Sequence, residues 1–121
     1  MLSEQPLTFT SEAAMQAAVF QYFWNNHPVT RRRIFHVPNG GSRNKIEAVQ
    51  LRAQGVVKGI TDLICLGDNG FFAIELKVNG GVVSTEQKEI HSLWRSLGHK
   101  VYVCWSYEET VEVINKEFNL C

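Results

Sequence analysis

Residues 59–78 read GITDLICLGDNGFFAIELKV, and this stretch decides the fold. It contains two apolar runs, Ile60–Leu66 and Phe71–Val78, on either side of the segment Gly67-Asp68-Asn69-Gly70. Apolar runs of this length around a cluster of Gly, Asp and Asn are typical of two β-strands joined by a tight turn. The stretch therefore predicts a β-hairpin, and the other elements are expected to pack around it.

Three charged residues interrupt these apolar strands. Because side chains alternate between the two faces of a strand, Glu75 and Lys77 share one face, opposite to the apolar set. Asp62 lies in the first strand between Ile60 and Ile64. Charged side chains are rarely buried unless they are paired or bind a metal ion. The hairpin is therefore expected to hold a cluster of interacting charges.

Asp62 and Glu75 are candidate metal ligands. Pairing of the two strands would bring both carboxylates within reach of one divalent cation, and hard oxygen ligands suit Mg²⁺ or Mn²⁺ with water completing the shell. Lys77, on the same face as Glu75, could orient a water molecule or offset charge that develops on a phosphate. An ordinary salt bridge between Glu75 and Lys77 on a half-exposed sheet is the alternative, because the pattern is short.

Further segments extend this pattern along the whole chain. They are Glu12, HVPNGG at 36–41, AQGVVKG at 53–59, TDL at 61–63, IELKVNGG at 74–81 and STEQKEIH at 84–91. In order and spacing they resemble the virus-type replication-repair nuclease (VRR-Nuc) domain of the restriction-endonuclease-like PD-(D/E)xK superfamily. Thr61 stands where that motif usually has a proline, a difference that concerns the shape of the backbone rather than the chemistry.

The resemblance implies one α/β domain with a restriction-endonuclease-like αβββαβ core, in which a mixed four-stranded sheet is flanked by helices. It implies a Mg²⁺ site, in which Mn²⁺ substitutes, held by Asp62, Glu75, the main-chain carbonyl of Leu76 and Glu12. It also implies a role for Gln87 near the active centre, where it would position water or a phosphate. Free-standing members of the family are small, resemble junction-resolving enzymes and tend to form homodimers, and the resemblance implies a bacterial or bacteriophage origin.

Two of these residues have a structural alternative. Glu12 falls in the first turn of a predicted helix, where the helix dipole favours a negative charge. Gln87 completes the sequence Ser84-Thr85-Glu86-Gln87, a capping box in which the glutamine side chain bonds the Ser84 backbone. Both the structural and the active-site interpretation stay open for these side chains.

Length and composition fit a single globular domain spanning 1–121. The chain has 121 residues, of which 45% are apolar and 20% charged, and residues 1–9 are expected to form a loose tail. No stretch approaches the ~18 apolar residues of a membrane span, and the N-terminus lacks a signal-peptide pattern. The three cysteines have no metal-ligand spacing, and their odd number favours a reducing, cytoplasmic setting. No small-molecule cofactor is expected.

The net charge is zero, but the charges are unevenly distributed. The segment 31–58 has seven basic residues and one acid, whereas 107–121 has four glutamates and one lysine. A basic segment beside an acid-lined site fits binding of a phosphate backbone. The candidate DNA-binding residues are Arg31, Arg32, Arg33, Asn39, Arg43, Lys45, Arg52 and Lys58. For the arginine triplet, an ordinary solvated surface is the alternative.

Hydrophobic periodicity and capping signals predict the element order α-β-α-β-β-α-β-α. Outside the hairpin, the predicted elements are a helix from Thr10 or Ser11 to about Asn26, a strand Ile34–Val37, a helix from about Arg43 to Gln54, a helix from Ser84 to Gly98, a strand Val101–Trp105 and a helix after Ser106. The third helix is expected to bury Ile90, Leu93, Trp94 and Leu97, with His91 and His99 in surface or structural positions. The strand 101–105 is expected in the sheet interior. The last helix is expected to begin with a capping box and to turn its acids outward.

These observations lead to one functional hypothesis. We expect a Mg²⁺-dependent endonuclease that hydrolyses DNA phosphodiester bonds, with branched or Holliday-junction-like DNA as its substrate in replication, repair or recombination. A non-catalytic nucleic-acid-binding module of the same fold is the first alternative. RNA as the substrate and a structural or protein-interaction domain are the others.

Overall fold

The hairpin lies at the centre of a four-stranded sheet. The computed structural model describes residues 7–38 and 44–120. In chain order its elements are α1 (Glu12–Asn26), a short 3-10 helix (Pro28–Thr30), β1 (Ile34–His36), α2 (Lys45–Ala53), β2 (Leu63–Gly67), β3 (Gly70–Leu76), α3 (Thr85–Ser96), β4 (Lys100–Cys104) and α4 (Tyr107–Glu117). The predicted order of helices and strands is confirmed.

The sheet has the strand order β1-β2-β3-β4 and is mixed, as predicted. β1 and β2, and likewise β2 and β3, pair antiparallel, while β3 and β4 pair parallel. The hairpin register places Leu63 opposite Ile74 and Gly67 opposite Gly70, so the turn consists of Asp68 and Asn69. In the part of the chain that the structure describes, β4 pairs with β3 alone, and the prediction that this strand is interior is wrong. Its apolar side chains are covered instead by α3 on one face and α4 on the other.

The main core lies between one face of the sheet and helices α1 and α4. α1 begins after the N-cap Ser11 and buries Met15, Val19 and Phe23 at helical spacing. These side chains pack against apolar residues of β2 and β3 and against α4, and one such contact brings the Phe72 and Phe118 rings to 5.8 Å between centroids. The described cysteines of this core carry free, buried thiols.

Helix α3 covers the opposite face of the sheet with a different surface from the one predicted. Leu93 and Leu97 are 56% and 65% exposed, so the prediction that they are buried is wrong. The fully buried residue of α3 is His91, while Ile90 and Trp94 are half-buried. The helix therefore turns a partly polar surface toward the sheet, which matters for the site described below.

Helix α4 departs from its prediction in two respects. Ser106 caps the helix by accepting from the Glu109 N–H, but the Glu109 carboxylate accepts from the Trp105 N–H at 2.6 Å, so the expected reciprocal capping box is not formed. Glu117, expected to face outward, is buried and accepts from Lys100 and Tyr102. These contacts join the end of α4 to β4. Among the described residues, no helix has both the length and the apolar character that crossing a membrane requires.

Candidate active site

The charged residues of the hairpin meet at the end of the sheet where β3 finishes and β2 begins. In the hairpin register Leu63 lies opposite Ile74, and continuing it by one residue places Asp62 opposite Glu75. Directly opposed residues of an antiparallel pair lie on the same face, with Cβ atoms about 5 Å apart. The two acids therefore share the face that α3 covers.

Glu75 is at the centre of this cluster and is only 1% exposed. Burial raises the pKa of its carboxyl to about 8, and repulsion from the Asp62 carboxylate, a hydrogen bond with Asp62 and the charge of Glu12 add to the effect, while Lys77 opposes it. The Glu75 carboxyl is therefore harder to ionise than that of an ordinary glutamate.

Asp62 is half-buried, and both its side chain and its main-chain carbonyl make hydrogen bonds. Its Oδ2 accepts from the Leu76 N–H at 2.7 Å, so the end of β3 is tied to the aspartate. His36 Nδ1 lies 2.6 Å from the Asp62 carbonyl and must carry the proton there, because a carbonyl only accepts. Thr61, in place of the expected proline, is fully buried with its hydroxyl 3.4 Å from the Leu63 carbonyl.

Lys77 lies on the same face as Glu75, as the alternation of strand residues predicts. Its Nζ is 3.9 Å from Glu75 Oε2, and the side chain is almost fully buried. The expected salt bridge is therefore present, but not in the half-exposed setting of the ordinary alternative. The ammonium group is shielded from water, so its charge interacts strongly with the two neighbouring carboxyl groups.

Glu12 approaches the same place from the first turn of α1. A Cβ built on Gly81 would lie 3.4 Å from Glu12 Oε2 and 3.6 Å from Lys77 Cδ. Gly81 therefore lies beside both the Glu12 carboxylate and the stem of Lys77, which places these two side chains close together. Both interpretations of Glu12 can therefore hold, because the first turn of α1 lies beside the charged cluster.

Gln87 contacts both the start of α3 and the central glutamate. Its Oε1 accepts from the Ser84 N–H at 2.8 Å, which confirms the predicted capping box. Its Nε2 donates to Glu75 Oε2 at 3.0 Å. The cap therefore positions the amide against the central glutamate, and a chemical role for Gln87 stays a prediction.

His91 also lies at the site, although the sequence predicts only a surface or structural position for it. It is 3% exposed, and its Nε2 lies 3.3 Å from Glu75 Oε1. Burial lowers the pKa of the imidazole, and the positive charges of Arg95 and Lys77 lower it further, so the ring is neutral at physiological pH. A signal for this contact existed in the sequence: His91 follows Gln87 by four residues and so lies on the same helix face.

The donor set fits a small, hard cation. Asp62, Glu75 and Glu12 offer carboxylate oxygens and Leu76 a main-chain carbonyl, which are ligands that Mg²⁺ and Mn²⁺ prefer. Burial, together with repulsion from Asp62 and Glu12, raises the pKa of Glu75 by more than Lys77 lowers it. Within residues 7–38 and 44–120, however, no three or more His, Cys, Asp or Glu side chains are grouped as ligands of one metal ion. A cation here would therefore depend on main-chain and water ligands, as Mg²⁺ commonly does.

The arginine triplet lies at the other end of the strands. The Leu66 N–H donates to the Arg33 carbonyl, four residues from Asp62 along β2, a separation of roughly 13 Å. The Arg33 guanidinium donates to the Leu66 and Val29 carbonyls and to Asp68 Oδ1, and it stacks on Phe118. Arg33 thus has structural partners at the hairpin turn, and its DNA-binding role stays a prediction.

The other basic candidates are more accessible. Arg31 donates to the Trp24 carbonyl and lies over the Trp24 ring, and Arg32 is exposed with φ +67°.

Lys45 and Arg52 are exposed on α2. Lys58 is exposed, with Nζ 3.6 Å from Glu86 Oε2 at the start of α3, the helix that also carries Gln87. Asn39 and Arg43 lie outside the described residues.

Comparison with known proteins supports the fold. A solved structure described as a "VRR_NUC domain protein" superposes on this chain with a TM-score of 0.69 at 22% sequence identity, over 97% of this chain and 93% of that chain. No protein-family model and no curated protein matches the sequence. The chain therefore has a VRR-Nuc-like α/β fold, and the fold prediction is confirmed.

Proposed function

We propose that this chain is a Mg²⁺-dependent endonuclease that hydrolyses DNA phosphodiester bonds. The observation that carries the proposal is the convergence of Asp62, Glu75 and Lys77 on one face of the sheet, with Lys77 Nζ 3.9 Å from Glu75. Two acids and one ammonium at the end of a hairpin are the chemistry that metal-assisted phosphodiester hydrolysis needs. A VRR-Nuc-like fold supports the same reaction.

In this proposal the cation is held by Asp62, Glu75 and the Leu76 carbonyl, and Glu12 acts through water. When bound, such a cation polarises the phosphate and lowers the pKa of water toward neutrality. Mn²⁺ would substitute for Mg²⁺, because both accept hard oxygen ligands.

The remaining residues orient and balance charge. Lys77 offsets the negative charge that develops on the phosphate or orients the attacking water, and its burial strengthens that interaction. Arg31, Arg32, Lys45 and Lys58 would contact the phosphate backbone, which positions DNA without reading its sequence. Arg33, Arg52, Asn39 and Arg43 complete the proposed set. We further propose branched DNA as the substrate and a homodimer as the active form, since a two-fold dimer places two sites across a junction.

The test is cleavage by purified protein with Mg²⁺ or Mn²⁺ of Holliday junctions, flaps, nicked duplexes and plain duplexes, with matched RNA as a competitor. Cleavage that requires the cation is expected, with branched DNA preferred. Lys77→Ala should lower the single-turnover rate about 100- to 1,000-fold while DNA affinity changes little, because the lysine acts in the transition state. Lys88→Ala, which removes an exposed lysine of α3, is the matched control.

Two results would contradict the proposal. Wild-type protein that shifts DNA without cutting it under any metal condition would indicate a binding module of the same fold. If Lys77→Ala cuts DNA as fast as Lys88→Ala, Lys77 does not take part in the reaction.

A further inference from the structure

Helix α3 presents two side chains to the two oxygens of one carboxylate. Gln87 Nε2 is 3.0 Å from Glu75 Oε2, and His91 Nε2 is 3.3 Å from Glu75 Oε1. The two residues are one helical turn apart, so both follow from the placement of a single helix. Glu75 is 1% and His91 3% exposed, so water does not compete for these contacts.

The cap of α3 determines which way the Gln87 amide points. Its Oε1 accepts from the Ser84 N–H, so only the NH₂ group is left for Glu75. An ionised carboxylate accepts hydrogen bonds and cannot donate them. When Glu75 is ionised, His91 must therefore donate from Nε2, and the carboxylate has one N–H donor on each oxygen.

Two directed donors restrict the rotation of the Glu75 carboxylate. Each oxygen has about two lone-pair positions, and one on each is used by α3. The same carboxyl group also interacts with Asp62, and the Lys77 Nζ lies 3.9 Å from its Oε2. This arrangement matches the way in which partners behind a metal ligand set its orientation.

We propose that His91 is a positioning residue which, together with Gln87, orients the Glu75 carboxylate toward the divalent cation. The inference rests on the proposed function, because it assigns Glu75 as a cation ligand. His91 itself touches neither the cation nor the phosphate. Its contribution is to hold one ligand oxygen in place through the Nε2–H donor.

The test measures cation affinity, without DNA, by calorimetric titration of Mn²⁺ into the purified full chain at one pH. His91→Gln keeps an N–H donor at the ε position, whereas His91→Leu removes it. His91→Asn carries the same amide one methylene shorter and withdraws it from Glu75, which supplies a second donor-deficient variant if the leucine variant fails to fold. His99→Leu, at an exposed histidine after α3, is the matched control.

We expect His91→Leu and His91→Asn to bind Mn²⁺ about 10- to 100-fold more weakly than wild type, the range typical of lost partners behind a metal ligand. His91→Gln and His99→Leu should retain wild-type affinity. If wild type binds and cuts but the donor-deficient variants bind Mn²⁺ as tightly as wild type, the inference alone is overturned. If wild type binds no Mn²⁺, the proposed function and the inference are both overturned.

Discussion

Replacing Glu75 by glutamine should stabilise the metal-free protein, and increasingly so at higher pH. The pKa of Glu75 in the folded chain is about 8, against 4.5 for an ordinary glutamate. A group whose pKa is raised by folding contributes stability below its unfolded pKa and loses that contribution as the pH rises through the folded value. Wild-type protein should therefore lose stability between about pH 4.5 and pH 8 through this one group.

The size of the effect follows from the shift. Each pKa unit corresponds to roughly 1.4 kcal/mol, so ionised Glu75 destabilises the folded state by up to about 5 kcal/mol. Glutamine keeps the size of the side chain and cannot ionise. The difference in unfolding free energy between Glu75→Gln and wild type should therefore be small at pH 5 and reach several kcal/mol at pH 9.

Urea unfolding in EDTA at pH 5, 7 and 9 measures this difference for both proteins. A second series with Mn²⁺ should restore stability to wild type at pH 9 and leave Glu75→Gln unchanged, because the cation favours the ionised carboxylate. A difference that is the same at all three pH values would refute the reasoning, since Glu75 would then not be buried against other carboxylates.

Glu117 is the matched control, because it is also a buried glutamate but has the opposite shift. Burial alone would raise its pKa, yet hydrogen bonds from Tyr102 and Lys100 outweigh this and lower it. Its contribution to stability is therefore present above the unfolded pKa and is lost as the pH falls. Glu117→Gln should destabilise the protein at pH 7, in contrast to Glu75→Gln.

Two further sites give matched comparisons. Gly59→Ala should destabilise the protein about 1–3 kcal/mol more than Gly55→Ala. Both glycines have positive φ, but only at Gly59 would the new Cβ lie 2.9 Å from the backbone of α3. Equal melting temperatures for the two variants would contradict the close packing of Gly59 against α3. Replacing Arg31 and Arg32 together should lower the slope of DNA affinity against salt concentration by up to about two ion equivalents. Arg33→Ala should change that slope little and should instead lower the free energy of unfolding by about 1–3 kcal/mol. An unchanged slope for the double variant would leave those arginines as a solvated surface.

The meeting of Asp62 and Glu75 could be predicted because it depends on local information alone. Two apolar runs and a two-residue turn determine the hairpin register, and the register places the acids opposite each other. The shared face of Glu75 and Lys77 follows from the same alternation. The order of helices and strands was predictable for a similar reason, since periodicity, caps and turns are local signals, whereas the restriction-endonuclease-like class followed from the family resemblance.

The surface of α3 that faces the sheet could not be predicted from helix periodicity. Leu93 and Leu97 form an apolar stripe, yet both remain exposed. The opposite surface faces the sheet, where Gln87 and His91 make tertiary contacts with Glu75 through polar groups. A hydrophobic pattern does not indicate polar contacts of this kind, so the position of His91 at the site was not predicted.

Counting charges along the chain had a similar limit for Arg33. The triplet looks like a uniform basic segment, but the Arg33 guanidinium bonds two carbonyls and Asp68 at the hairpin turn. The path of β1 beside β2 brings Arg33 to the Leu66 carbonyl and to Asp68, which lie more than thirty residues away along the chain. The sequence therefore indicates a basic surface without indicating which of its members have structural partners.

The most direct test of the central claim is anomalous diffraction from a crystal of this chain soaked in Mn²⁺. One anomalous peak is expected between the Asp62 and Glu75 carboxylates, close to the Leu76 carbonyl, and it should be lost in Asp62→Ala. A well-ordered site with no peak at those carboxylates, or a peak that persists in Asp62→Ala, would contradict it.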